Sequence, residues 1–149
     1  MTTSIRLATP EDKAPLLALM ARAVGEAGHA SDPELHDRAV APLLESGPYG
    51  AVWLVGPQRA PLGYVVVTFS WSVTTAETEG WVQEVYIRPS VRNRGIGTEV
   101  LHAVAVALGK GGVGALHVHL PQDQDGLRRF CEKVGFRAQD DILVLTDRL

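Results

Sequence analysis

The chain holds one cysteine, Cys131, so no disulfide can close within it and no cysteine-based zinc site can form. It lacks an excess of positive charge: the formal net charge is −3, which argues against a nucleic-acid partner bound through bulk charge. No apolar run approaches the length of a membrane span. The segment Met1 to Leu7 contains Arg6 and has none of the long apolar run of a secretory signal. Lysine is scarce beside arginine, and there is no internal repeat, linker or low-complexity segment. These absences lead to the expectation of a cytoplasmic protein with no membrane and no nucleic-acid partner.

What is present suits a globular chain. The 149 residues are the size of one domain, expected to span 1–149, with 46% hydrophobic and 21% charged residues. Ser4 to Ala8 reads as a first strand, and Thr9-Pro10-Glu11-Asp12 as a helix start with Thr9 as N-cap. Leu16, Leu17, Met20 and Val24 follow at helical spacing, and a second helix opens at Ser31-Asp32-Pro33-Glu34. Ala51 to Val55, Leu62 to Trp71 and Trp81 to Ile87 are rich in β-branched and aromatic residues, with a polar hairpin from Val73 to Gly80. Short loops between them predict antiparallel pairing. Val100, Val104 and Leu108 mark a buried helix face capped by Gly109, and Ala115 to Leu120 is the next strand. Leu127 to Val134 gives a last helix, and Ile142 to Thr146 a last strand. The predicted order is β-α-α-β-β-β-α-β-α-β, a mixed, mostly antiparallel α/β sheet flanked by helices.

The segment VYIRPSVRNRGIGTEV, Val85 to Val100, runs from a strand through a turn into a helix. A helix start presents unpaired N–H groups and the positive end of the dipole, and glycine lets a phosphate approach the backbone. Arg88, Arg92 and Arg94 add cationic side chains nearby. The same residues also suit a tight strand-to-helix turn with solvated arginines. No Gly-Lys-Ser/Thr follows, so the turn is not a P-loop. A literal G-x-G-x-x-G at Gly109, Gly111 and Gly114 follows a helix and precedes a strand, the reverse of the dinucleotide-binding order.

Arg92-Asn93-Arg94-Gly95-Ile96-Gly97 resembles the acyl-CoA-binding motif of the GNAT superfamily: Gln or Arg, two residues, Gly, any residue, then Gly or Ala. Glu84 to Pro89 resembles the strand leading into it, and Phe130 to Phe136 resembles the family's Phe-Tyr-x-x-x-Gly-Phe. The resemblance implies a single GNAT-like domain that uses acetyl-CoA as co-substrate. It implies transfer of acetyl to a primary amine, on a small molecule or peptide, by direct attack in a ternary complex. Backbone amides of Asn93, Arg94, Gly95, Ile96, Gly97 and Thr98 would bind the pyrophosphate, flanked by Arg92 and Arg94. The backbone of Val85, Tyr86 and Ile87 would pair with the pantetheine arm where two parallel strands splay, and an N–H near Tyr86 or Ile87 would steady the oxyanion. Relatives often dimerise, so a homodimer is expected as well.

The same resemblance points to Glu84 as general base, directly or through water; the other reading is a strand carboxylate that orients substrate or pairs with an arginine. Cys131 stands where many relatives carry the tyrosine that serves as general acid, and the other reading is a small buried helix residue. Tyr86 is the fallback acid. Gln124 and Phe130 occupy positions of the family's pantetheine-contacting segment, although Gln124 replaces the usual Asn. The alternative function is an acyl-CoA-binding or regulatory domain without turnover.

His117 and His119 alternate on a strand but have no third ligand, so no metal is expected. Trp53, Trp71 and Trp81 read as mainly core, with Trp71, Ser72 and the following hairpin as an acceptor rim. Asp32, Glu34, Asp37, Glu45, Glu77 and Glu79 would be a solvated face, or would suit a cationic acceptor such as a polyamine, aminosugar or lysine side chain.

Overall fold

A computed structural model describes residues 3–149. They fall into two compact units, one ending at His119 and the other running from Leu120 to Leu149. The first unit carries strands β1 (Ile5–Leu7), β2 (Gly50–Val55), β3 (Gly63–Ser72), β4 (Glu77–Ile87) and β5 (Val113–Val118). It also carries helices α1 (Lys13–Glu26), α2 (Pro33–Val40) and α3 (Ile96–Lys110). The sheet order is β1-β2-β3-β4-β5, antiparallel throughout except for the parallel pair β4–β5. The expected mixed, mostly antiparallel sheet is therefore present. Among the described residues no helix is long and apolar enough to cross a membrane.

The central strands are apolar on both sides, as strands covered on two faces must be. Val52, Leu54, Tyr64 and Val66 pack with Leu16, Leu19 and Met20 of α1 and with Val40, Leu43 and Leu44. The alternate residues Val55, Val65 and Val67 are fully buried in turn, as are Val100 and Val104 of α3. The parallel β4–β5 pair requires a crossover, and α3, which contacts both strands, supplies it.

An ion pair fixes the entry to α1. Both terminal nitrogens of Arg6 donate to the Asp12 carboxylate, at 2.8 and 2.7 Å, and the Thr9 N–H donates to the same group at 2.8 Å. Asp12 is buried, and the Arg6 hydrogen bonds lead in holding its carboxyl at about 2, below the ordinary 3.8. Thr9 thus sits at the N-cap of a short 3-10 turn, Pro10–Asp12, that continues into α1.

Several sequence expectations are corrected. Glu77 to Gly80 is strand rather than loop, since these residues pair with Phe69 to Ser72 and, in part, with β5. The helix expected to stop at Gly109 runs on to Lys110 and is capped by Gly111, whose N–H donates to Ala107 O at 3.1 Å. Trp53 is buried, but Trp71 is 64% exposed, because pairing of β3 with β2 ends at Thr68 and the outer hairpin projects beyond it.

The second unit contains α4 (Asp125–Val134), closed by Gly135 at φ +130°, where the Gly135 and Phe136 N–H groups donate to Cys131 O. The predicted last strand, Ile142 to Thr146, is absent. Its β-branched run has no ladder partner among the described residues, and Ile142, Leu143, Val144 and Leu145 are all exposed. A strand exists only through its neighbours' hydrogen bonds, so composition alone does not make one.

Replacing Asp12 by alanine should lower unfolding stability by about 2 kcal/mol, the scale of lost hydrogen bonds to charged groups. Because the folded carboxyl is depressed, its contribution is complete above 3.8 and disappears as the pH falls through about 2. Urea unfolding of both proteins at a series of acid pH values measures this.

Candidate active site

The site begins with a defect in the sheet. Along the β3–β4 ladder Val66 faces Glu84 but Val67 faces Val82, so Gln83 is an extra, bulged residue. The β4–β5 ladder ends at the pair Val82–Val118, whereas β4 continues to Ile87. Glu84 to Ile87 therefore pair with β3 alone, the bulged Gln83 with neither neighbour, and Gln83, Glu84 and Val85 are exposed on an interior strand of the five-stranded sheet. Arg88 donates its N–H to Leu62 O at 2.8 Å. By the strand's alternation Tyr86 faces β3 in the same way, so the N–H groups of Val85 and Ile87 face the open edge.

That edge leads directly into the glycine turn. After the 3-10 turn Pro89–Val91, Asn93 at φ 63° and Gly95 at φ 77° both take left-handed backbone, and Gly95 is the N-cap of α3. The first helical bond runs from Glu99 N–H to Gly95 O. The N–H groups of Ile96, Gly97 and Thr98 thus have no partner within the helix. The stretch Arg92 to Gly95 is exposed. Arg94 makes no ion pair among the described residues. Open amides, the positive end of a helix dipole and a guanidinium outside any ion pair are the elements from which backbone anion sites are built.

Arg92 is held differently. Its Nε donates to Ile87 O at 2.7 Å, one terminal nitrogen reaches Glu26 at 2.6 Å, and the guanidinium lies 5.5 Å from the Tyr86 ring centre. The Tyr86 hydroxyl donates to the other Glu26 oxygen at 2.6 Å. The last residue of α1 therefore clamps the end of β4 to the start of the turn. The hydrogen bonds from Tyr86 and then Arg92 lower the Glu26 carboxyl, while burial, followed by the bond to Glu26, raises the Tyr86 phenol.

Glu84 sits at the bulge, accepting a 3.2 Å hydrogen bond from the hydroxyl of fully buried Tyr64. Burial, and then the Glu84 charge, push the Tyr64 phenol far up, so it stays a donor. Glu84 borders a cavity of about 290 Å³ whose other walls are Met20, Ala39, Val40, Leu43, Val66, Thr68 and Gln83. Beyond it, Trp81 stacks against His117 and His119 at 4.5 and 4.6 Å, and His117 pairs with Glu79 at 2.8 Å. The two histidines do share a neighbour, but among the described residues no group of three metal-ligating side chains forms.

The structure thus brings Glu84, Val85, Tyr86, Ile87 and Arg92 to Thr98 together in the first unit. Gln124, Phe130 and Cys131 belong to the second, where Gln124 precedes α4 and Cys131 is buried, with its thiol pushed up by desolvation. Glu26 and Tyr64 were not singled out from sequence. Glu26 lies 60 and 66 residues from its partners and Tyr64 lies 20 from Glu84, and no local pattern marks such contacts.

A family model described as the acetyltransferase (GNAT) family matches residues 17–136. An integron cassette protein from the mobile metagenome of Cole Harbour Salt Marsh is similar in structure, with TM-score 0.84 and 28% identity, covering 97% of this chain and 90% of that one. A possible acetyltransferase from Clostridium difficile superposes with TM-score 0.87 at 16% identity, covering 100% of this chain and 99% of that one. A predicted acetyltransferase from Clostridium acetobutylicum, solved with acetyl-CoA, gives TM-score 0.76 at 17% identity, with 97% and 96% covered. No curated protein matches in sequence.

If Glu26 holds the Tyr86 proton as the geometry indicates, Glu26→Gln should move ionisation of Tyr86 down toward the ordinary 10.0. Phenolate absorbance during an alkaline titration reads this directly. An unchanged titration curve would contradict the clamp.

Proposed function

Because the chain belongs to the acetyltransferase (GNAT) family, we propose that it is an acyl-CoA-dependent N-acyltransferase moving acetyl from acetyl-CoA to a primary amine. The observation that carries this reading is the open edge of β4 from Gln83 to Ile87, followed after one short 3-10 turn by the glycine turn that opens α3. An extended pantetheine arm would add to that edge as a strand, and the turn would receive the pyrophosphate. The family match crosses the boundary at Leu120, which supports one acetyltransferase domain made of both units. The proposed setting is the cytoplasm.

In this reading the amides of Asn93 to Thr98, with Arg94, bind the pyrophosphate. Arg92 and Glu26 hold the turn against β4. The N–H groups of Val85 and Ile87 face the arm, and one of them donates to the thioester oxygen as negative charge develops there. Bound acetyl-CoA supplies the activated acyl group. Glu84, steadied by the Tyr64 hydroxyl, accepts the proton that an ammonium acceptor must lose before its nitrogen can attack. The family resemblance assigns cofactor binding to Gln124 and Phe130, and the role of acid for the departing thiolate to Cys131.

One observation favours a second reading, acyl-CoA binding without turnover. The Tyr86 proton is committed to Glu26, and burial makes the Cys131 thiol a weaker acid. Free-thiol release from acetyl-CoA across an amine panel separates the two. The enzyme reading expects turnover, and Glu84→Gln should reduce kcat/KM by roughly 10²- to 10⁴-fold, the range of general-base catalysis. Undiminished turnover in that variant at every pH would remove Glu84 from the role.

A further inference from the structure

We propose that the acceptor is a small primary monoamine with an apolar aliphatic or aromatic body, bound in the cavity beside Glu84; this rests on the acetyltransferase reading above. The bulge creates the arrangement. In a regular strand neighbouring side chains point to opposite faces, yet both Gln83 and Glu84 line this cavity. The extra residue in β4 turns the two toward one side, and so sets a carboxylate at the edge of an otherwise hydrocarbon pocket.

The chemistry of the walls then selects the ligand. Met20 of α1, Ala39 and Val40 of α2, Leu43 and Val66 offer only carbon and sulfur. The polar lining groups besides Glu84 are Gln83 and Thr68, and they bond to each other, the Gln83 amide donating to the Thr68 hydroxyl at 2.9 Å. One Glu84 oxygen accepts from Tyr64 and the other is free for an ammonium. A single anionic anchor against methyl and methylene groups matches one nitrogen on an apolar body. A polyhydroxylated amine would set hydroxyls against the hydrocarbon walls, and each one left there without a partner costs roughly tenfold in affinity.

The acids that suggested a polycationic acceptor are partly occupied. Asp37 pairs with Lys13 at 3.2 Å, Asp32 caps α2 through Leu35 N–H, and Glu79 pairs with His117. Size points the same way. About 290 Å³ lies at the lower end for small-molecule sites, which suits a compact ligand.

The test uses the whole chain. Coenzyme A affinity is first measured by calorimetry; thiol release is then followed with linear n-alkylamines, 2-phenylethylamine, glucosamine and spermidine. We expect kcat/KM to rise about fourfold per added methylene until the cavity is filled. The best apolar amine should exceed glucosamine and spermidine by about 100-fold or more. Ala39 lines the cavity yet is exposed, so Ala39→Trp can fill it without disturbing the core. That variant should lose at least about tenfold in kcat/KM for the apolar amine while its coenzyme A affinity is unchanged. A flat response to chain length, a preference for glucosamine or spermidine, or an indifferent Ala39→Trp overturns the proposal. Coenzyme A binding with no apolar amine turned over also overturns it alone. Failure to bind coenzyme A overturns the acetyltransferase reading, and the proposal with it.

Discussion

The parallel ladder between β4 and β5 stops at Val82–Val118, and the site depends on that stop. Central strands normally satisfy both edges, because an unpaired backbone group away from water is costly. Here the second edge of β4 is open over Gln83 to Ile87, on an interior strand rather than at the sheet's margin. Such an edge is a template for another extended chain. Its N–H groups at Val85 and Ile87 are spaced for a partner that is not part of the sheet, and the turn that follows opens α3 with free backbone N–H groups.

Other features maintain this opening. Gly63, opposite Ile87, lies so close to Tyr86 O that a side chain there would collide with it, so β3 packs tightly against the far edge of β4. The Glu26 clamp holds Tyr86 and Arg92 together, and Arg92 in turn occupies Ile87 O, closing the end of the edge. The bulge at Gln83 delivers Glu84 to the cavity, and Tyr64 anchors its carboxylate from within the core. The open edge and the cavity beside Glu84 thus both arise from one distorted strand.

Sequence reading reached those parts that are local. The turn from Arg92 to Gly97 was legible because helix start, glycines and arginines lie within a few residues, and their resemblance to a family motif pointed to a cofactor class. The β-rich runs Ala51 to Val55, Leu62 to Trp71 and Trp81 to Ile87 were legible from composition. What failed needed a partner. Glu77 to Gly80 is polar and contains glycine, yet it is strand because Phe69 to Ser72 lies beside it; Gly80 fits there under Leu116 and Val67. Ile142 to Leu145 has the opposite history: β-forming residues with no ladder to join. The apolar character of the cavity was equally invisible, since its lining comes from α1, α2, the 3-10 turn Ala41–Leu44 that follows α2, β3 and β4.

The central claim is that the open edge of β4 receives the cofactor as an added strand, and backbone hydrogen exchange tests it at single residues. With saturating coenzyme A, the amides of Val85 and Ile87 should become strongly protected, while Tyr86, already bonded to β3, should change little. Unchanged exchange at Val85 and Ile87 in the saturated protein would contradict the account.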